Sequence, residues 1–296
     1  MIPCNISIIN ITAFFPSFLY KHKNQKKMKI VIKFLLVIHL VVSTTLFIGC
    51  NDSVTQVYDE VSNTNFVATE AFHFSIEVQN QTMFTISGIN GNIVINGISN
   101  ADSVIITGQK SVGSESVADA QASLLNLNVI VQGSANEVTV KTDQPEQTGG
   151  RNYNVNYQVT LPKDFKISAG NVNGTVSVDS INNNVNAANV NGQVLLTDIV
   201  GNTAASLVNG QITAKITLPS SGTIGLANVN GNVALQIPIN SSAAFSAGLV
   251  NGTITINNLT LQNQVSSNTK VTGTLGSGDG TISLATVNGN ISATGF

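Results

Sequence analysis

Two carboxylates, Asp179 and Asp198, are the residues in this chain most nearly placed for acid–base chemistry. They lie 19 residues apart. A hydrolase or lyase acting on glycans needs such a pair converging on one bond, usually with Lys or Arg beside it. The surroundings offer little help. From Ile167 to Phe296 the charged residues are Asp179, Asp198, Lys215, Lys270 and Asp279. Asp179 and Asp198 also sit five and six residues after their nearest glycines, Gly174 and Gly192, so strand alternation directs them to opposite faces. Arg151, in a Gly-Gly-Arg loop, and His73 have no partner at a catalytic or metal-ligand spacing. No nucleophile elbow, phosphate-binding loop or dinucleotide fingerprint is present. The residues therefore predict no catalytic site, no cofactor and no metal. Calcium in β-rolls is held by an Asp in each turn, and here the turns carry Asn-Gly instead.

Charge and cysteine usage narrow the classes further. Charged residues make up 9 % of the 296-residue chain, against about 25 % in an ordinary soluble domain. Six of the thirteen basic residues precede Cys50, and all fifteen acidic ones follow it. The part after Cys50 is mildly acidic without a basic cluster, which argues against nucleic acid as a partner. Cys4 and Cys50 are the two cysteines, so no disulfide and no thiol chemistry is expected within 51–296.

The N-terminal region reads as an address. Lys29 and Lys33 precede an apolar stretch from Phe34 to Gly49, which is shorter than the ~20 residues a spanning helix needs. Met28 gives a start of ordinary length, which leaves residues 1–27 as a doubtful leader and 28–49 as a signal peptide. Leu46-Phe47-Ile48-Gly49-Cys50 resembles the lipobox of bacterial lipoproteins. That resemblance implies lipidation at Cys50 and a membrane anchor there. It departs from the commoner pattern in having Phe47 where Leu is usual. An uncleaved anchor helix is the alternative. The resemblance to enterobacterial lipoproteins implies that Asp at this place would favour inner-membrane retention; Asn51 leaves the outer membrane or cell surface, the expected location, open, although Asp52 follows and the leaflet stays undecided. Residues 51–65 read as a polar tether.

The elements that would position any site come from a repeat. Val-Asn-Gly recurs at Asn173-Gly174, Asn191-Gly192, Asn209-Gly210, Asn230-Gly231, Asn251-Gly252 and Asn288-Gly289. The glycine spacings are 18, 18, 21, 21 and 37. The last gap is about two periods, with Val271-Thr272-Gly273 as a degenerate copy. The second and fourth residues after each glycine are apolar, as in Val176 and Val178 or Ile254 and Ile256. The residues between them are mostly uncharged and polar. That is the period of a strand with one buried face. Asn-Gly also starts hairpins, so an antiparallel meander is possible. A hairpin stack would reverse direction at every turn, however. Breaks near Asn183 and Gly201 suggest instead two strands and two turns per coil. The expectation is an all-β chain with a parallel β-solenoid of 18–21-residue repeats over 166–296. A strand-rich part covers 66–165. Within it Ser116-Val117-Ala118-Asp119 opens a short helix near 115–125, placed to cover one end of the stack.

Phe74, Ile76 and Val78, the early Asn90-Gly91 strand, the helical insertion, Tyr157-Gln158-Val159-Thr160-Leu161-Pro162 and the serial Val-Asn-Gly units occur in that order. In this the chain resembles the bacterial "putative adhesin" β-strand-repeat family over about residues 72–293. The resemblance implies an exported, surface-facing interaction or scaffolding protein. A carbohydrate-active enzyme using Asp179 or Asp198, and an envelope sensor, are the alternatives.

Overall fold

In the computed structural model, residues 64–296 are described. The leader, the signal segment, Cys50 and the tether up to residue 63 lie outside them. The described residues form eighteen strands and one helix, so the chain is all-β as expected.

The repeats build the centre of the sheet. Strands β8 (Lys166–Asp179), β9 (Val185–Val200) and β10 (Thr203–Thr217) each run straight through a Val-Asn-Gly. In these three strands the motif is a corner inside the strand. Further along, the same corner separates β11 (Thr223–Asn230) from β12 (Val233–Ile237). It likewise separates β13 (Ala243–Asn251) from β14 (Ile254–Asn257), and β17 (Gly280–Asn288) from β18 (Ile291–Gly295). Strands β2 (Met83–Ser87) and β3 (Ile93–Ile98) flank Asn90-Gly91 in the same way. On β8 the buried residues are Ile167, Ala169 and Asn171 before Gly174, and Val176 and Val178 after it. Burial therefore changes parity at the glycine. A straight strand keeps its parity, so the chain bends there and wraps both halves around one core.

These corners pair in parallel and in register. Asn173 opposes Asn191, which opposes Asn209, then Asn230, Asn288 and Asn251. Asn90 bridges to Asn173 on the other side. The columns behind them make the core: Val176, Val194, Ile212, Val233 and Ile291 are each at most 1 % exposed. Ile254 in the outermost rung is half-buried. The seven corner glycines have φ from 111° to 151°, a region open essentially to glycine alone. A Cβ on any of them would sit 1.7–2.3 Å from a backbone carbonyl oxygen of the neighbouring strand.

The sheet as a whole is mixed and open, which corrects the expectation of a uniformly parallel stack. At one end β1 (Phe66–Glu77), β4 (Ser103–Ser114) and β7 (Asn152–Pro162) pair antiparallel, and β7 joins β3 in parallel. Beside them β5 (Asn128–Gly133) is antiparallel to β6 (Glu137–Asp143), which joins β2 in parallel. At the other end β15 (Gln262–Ser267) and β16 (Lys270–Leu275) form an antiparallel pair on the edge of β13. The reason is loop length. Two or three residues join β15 to β16 and β5 to β6, enough for a hairpin but not for a parallel return.

Val271-Thr272-Gly273 is consequently not a rung. It lies on β16, antiparallel to β13, and Gly273 lacks the positive φ of the corners. The seventh corner is Asn90-Gly91. The chain also stacks out of order, with β17 and β18 lying between β11–β12 and β13–β14.

Helix α1 (Val117–Leu124) forms as the capping pattern predicts. Ser116 is extended at the N-cap, and its Oγ accepts the Asp119 N–H at 3.2 Å. Ala120, Leu124 and the following Leu127 are buried, and the helix packs on β1 and β4 at the end of the stack.

Gly210→Ala is expected to cost at least about 3 kcal/mol, from backbone strain plus the clash with the Gly192 carbonyl. That corresponds to a fall in Tm of about 6–12 °C in a domain of this size. Gly133→Ala is the control, because a Cβ there meets nothing within 4 Å. Equal melting of both variants by calorimetry would sink the corner argument.

Candidate functional site

The structure pairs Lys215 with Asp198 and sets Asp179 opposite Thr197, the residue before Asp198. Lys215 Nζ donates to Asp198 Oδ1 at 2.7 Å from the adjacent strand, with both side chains exposed. The same ammonium lies 5.2 Å from the centre of the Phe296 ring. Asp179 accepts from its neighbour Ser180 at 3.3 Å, and its Cα partner on β9 is Thr197. Asp198 has φ 50°, where the β9–β10 register shifts between Ala214 and Ile216. Strict alternation therefore fails at Asp198, and no hydrogen bond joins the two carboxylates. His73 is exposed on β1 opposite Thr107. Among the described residues no three His, Cys, Asp or Glu side chains converge as metal ligands. A shallow pocket of about 240 Å³ lies between Thr82, Met83, Asn136, Glu137, Lys166 and Asn183. It contains no acid pair.

Arg151, which the sequence left without a partner, has one. Its Nε and Nη2 donate to the two oxygens of Asp119 at 2.7 and 2.6 Å. The Ser114 hydroxyl donates to the same carboxylate. Arg151 and then Ser114 hold the Asp119 carboxyl down at about 2, from 3.8. The planar, two-bonded geometry ties the loop before β7 to the first turn of α1. It is a structural clamp.

The Asn-Gly corners form the most regular polar feature. From Asn173 to Asn251 each side-chain amide donates to the Oδ1 of the Asn in the rung before it. Asn173 donates to Asn90 at 2.7 Å, Asn191 to Asn173 at 2.9 Å and Asn209 to Asn191 at 2.8 Å. Asn230 then donates to Asn209 at 2.9 Å, Asn288 to Asn230 at 2.9 Å and Asn251 to Asn288 at 2.8 Å. At the far end Asn90 donates to the Tyr153 carbonyl at 3.0 Å. The outcome is an exposed, one-directional amide ladder.

Two further columns support it. Two residues before the corner Asn, buried Asn171, Asn189 and Asn228 donate to the carbonyls of Gly91, Gly174 and Gly210 at 2.7–2.8 Å. Thr286 does the same for Gly231 at 3.0 Å, while Gly88, Leu207 and Leu249 hold that place in the other rungs. One residue after the corner glycine, Asn92, Asn232 and Asn290 accept backbone N–H groups of the next rung at 2.9–3.0 Å. The sequence analysis missed both columns. Their signals are legible as Asn-Val-Asn-Gly at 171, 189 and 228, and as Gly-Asn at 91, 231 and 289.

Outside the corners, the strands after the glycine turn outward a mostly half-buried face of mixed residues, Asp179 and Lys215 included. One register column carries Ser177, Leu195, Thr213, Ala234, Ser292 and Thr255. The face is uncharged along that column and carries no regular array of one side chain. Cys50, the expected lipidation site, lies outside the described residues.

Two predictions follow from this geometry. Asn189→Ala strips the buried Gly174 carbonyl of its side-chain partner and is expected to cost about 1–3 kcal/mol in chemical denaturation. Asn191→Ala, where water replaces the lost amide, is expected to cost under about 1 kcal/mol; equal losses would contradict the division into buried and exposed columns. For α1, the depressed Asp119 value means that docking is stabilised above the unfolded value of 3.8 and loses that support as pH falls through about 2. Amide exchange over 117–124 should therefore quicken in that window, and Asp119→Asn should remove the pH step. A step that persists in the variant would assign it to another group.

The sequence matches no protein-family model and no curated protein. Among solved structures, one similar chain is a "putative cell adhesion protein" of Clostridium sporogenes, 12 % identical, with a TM-score of 0.42. The match covers 77 % of this chain and 100 % of that one. A "putative adhesin" of Bacteroides fragilis is 12 % identical over 77 % of this chain and 97 % of that one, with a TM-score of 0.25. Another from Parabacteroides merdae is 10 % identical over 78 % and 97 %, also with a TM-score of 0.25. Each of these bacterial proteins carries the description of the family that the sequence resembles, and likeness at this level assigns no activity or ligand to the present chain.

Proposed function

We propose that this chain is a lipid-anchored, non-catalytic β-solenoid of the bacterial cell envelope. In this reading its broad polar faces serve adhesion or scaffolding at the outer membrane or cell surface. The observations that carry the reading are an extended sheet face with few charges, Asp179, Asp198 and Lys215 among them, and several carboxylates held by partners of their own. Asp198 is bound by Lys215, Asp119 by Arg151 and Ser114, and Asp279 by Ser242 and Ser277. General acid–base catalysis needs a carboxyl free to exchange its proton with substrate.

The solenoid part of the proposal rests on seven corners in parallel register, each with its two strand halves around a common core. The antiparallel strands at each end then act as caps, which such stacks need to protect their edges. The anchor part rests on the charged, apolar and Gly-Cys order of residues 29–50. A partner would meet mostly uncharged groups over a wide area, so recognition would depend on hydrogen bonding and shape more than on charge.

Metabolic labelling with a palmitate analogue tests the anchor, with Cys50→Ala as the comparison and protease added to intact cells. The proposal expects label on the wild type, none on the variant, and cleavage of the wild type from outside. Label that survives in Cys50→Ala would overturn the anchor, and complete protection of the wild type would overturn surface display. Robust turnover of a glycan by the purified chain would overturn the non-catalytic reading.

A further inference from the structure

The rung made by β17 and β18 lies between β11–β12 and β13–β14, although the chain builds β13–β14 first. A short connection makes this possible. Strands β16 and β17 flank β13 on opposite sides, with Leu275 and Gly280 both opposite Ala243. Residues 276–279 alone carry the chain across the end of β13. Gly276 at φ 54° and Gly278 at φ 81° supply the bend.

A side-chain clasp holds that bend closed. Ser242 Oγ accepts the N–H groups of Gly278 and Asp279 at 3.0 and 3.2 Å and donates to the Asp279 carboxylate at 2.9 Å. The Ser277 hydroxyl donates to the same carboxylate. The two hydroxyls, Ser277 foremost, hold the Asp279 carboxyl below its usual value. No other feature of the fold uses this cluster.

The slot recognises a pattern and not an individual rung. It asks for an Asn that joins the amide ladder, a glycine that clears the next carbonyl, and apolar side chains at fixed offsets. Ile282, Leu284, Ile291 and Ala293 satisfy it and are at most 2 % exposed. The same rung from a second copy would make the same pairings and bury the same side chains. The two arrangements differ only in the hinge. Short, bent hinges favour exchange, because straightening them relieves the bend while every other contact is remade in the partner.

We propose that residues 280–296 form an exchangeable rung that inserts either into its own slot or into that of a second copy of this chain. The clasp of Ser242, Ser277 and Asp279 is the latch that favours its own.

Two differently tagged full-length copies test this, one carrying Gln236→Cys and the other Thr294→Cys. These positions are Cα partners on β12 and β18, and adjacent strands bring them within disulfide reach. Mild oxidation of co-expressed copies should yield a disulfide dimer bearing both tags, above the background set by the parent chain. Adding Ser242→Ala to both copies should raise its share about fivefold, as expected for the loss of the clasp's hydrogen bonds. Gln236→Cys with Thr294→Cys on one chain should close within the monomer. Absence of the mixed dimer in both backgrounds, while the double variant closes on itself, would overturn exchange. Failure of the double variant to close would overturn the out-of-order rung itself. A share unchanged by Ser242→Ala would overturn the latch, and Thr294→Cys dimers as abundant as the mixed ones would reveal collision in place of pairing.

Discussion

Backbone meets backbone at the corner of every rung, at a separation that leaves no room for a Cβ. Gly192 and Gly210 show the constraint most clearly, since an added methyl would lie 2.0 and 1.7 Å from the carbonyl oxygen of the rung before. Only glycine has both the clearance and the φ. A slip of one residue would put Asn or a polar residue in that gap and turn each apolar column outward. The glycine column therefore sets the register, and the register sets the rest. It brings the Asn amides into line, it stacks Val176, Val194 and Ile212 behind them, and it leaves the intervening Thr and Gln on the surface.

Parallel stacking in register also accounts for the low charge. Equivalent side chains lie about 4.8 Å apart from rung to rung, so a charged residue repeated in a column would meet its own sign at every step. Neutral amides and hydroxyls have donors as well as acceptors, and a column of them is mutually attractive. Charges persist where they pair across rungs, as Lys215 does with Asp198. The low charge of the composition is thus a consequence of the architecture.

Much of this was legible because the repeat is one-dimensional. The Val-Asn-Gly spacing and the alternation after it are local signals, and they located the corners, the apolar columns and the helix opened by Ser116. What the sequence did not disclose is relational. Arg151 and Asp119 lie 32 residues apart, and no local pattern announces their pairing. Val271-Thr272-Gly273 matches two of three motif letters, yet the two-residue connection after β15 commits it to a hairpin. The out-of-order rung was illegible for a similar reason. Any unit with Asn, Gly and the apolar offsets fits between any two others, so the motif states that a rung forms without stating where it goes.

The account stands on that parallel register and on the placement of the Asn288 rung within it. Through-hydrogen-bond scalar couplings in the isotopically labelled protein read both directly. The structure predicts a coupling from the Gly231 amide nitrogen to the Asn288 carbonyl carbon, and one from Gly289 to Asn251. A coupling from the corner at 251 or 252 to Asn230 would mean sequential stacking, and pairings of an antiparallel meander at these corners would contradict the parallel register altogether.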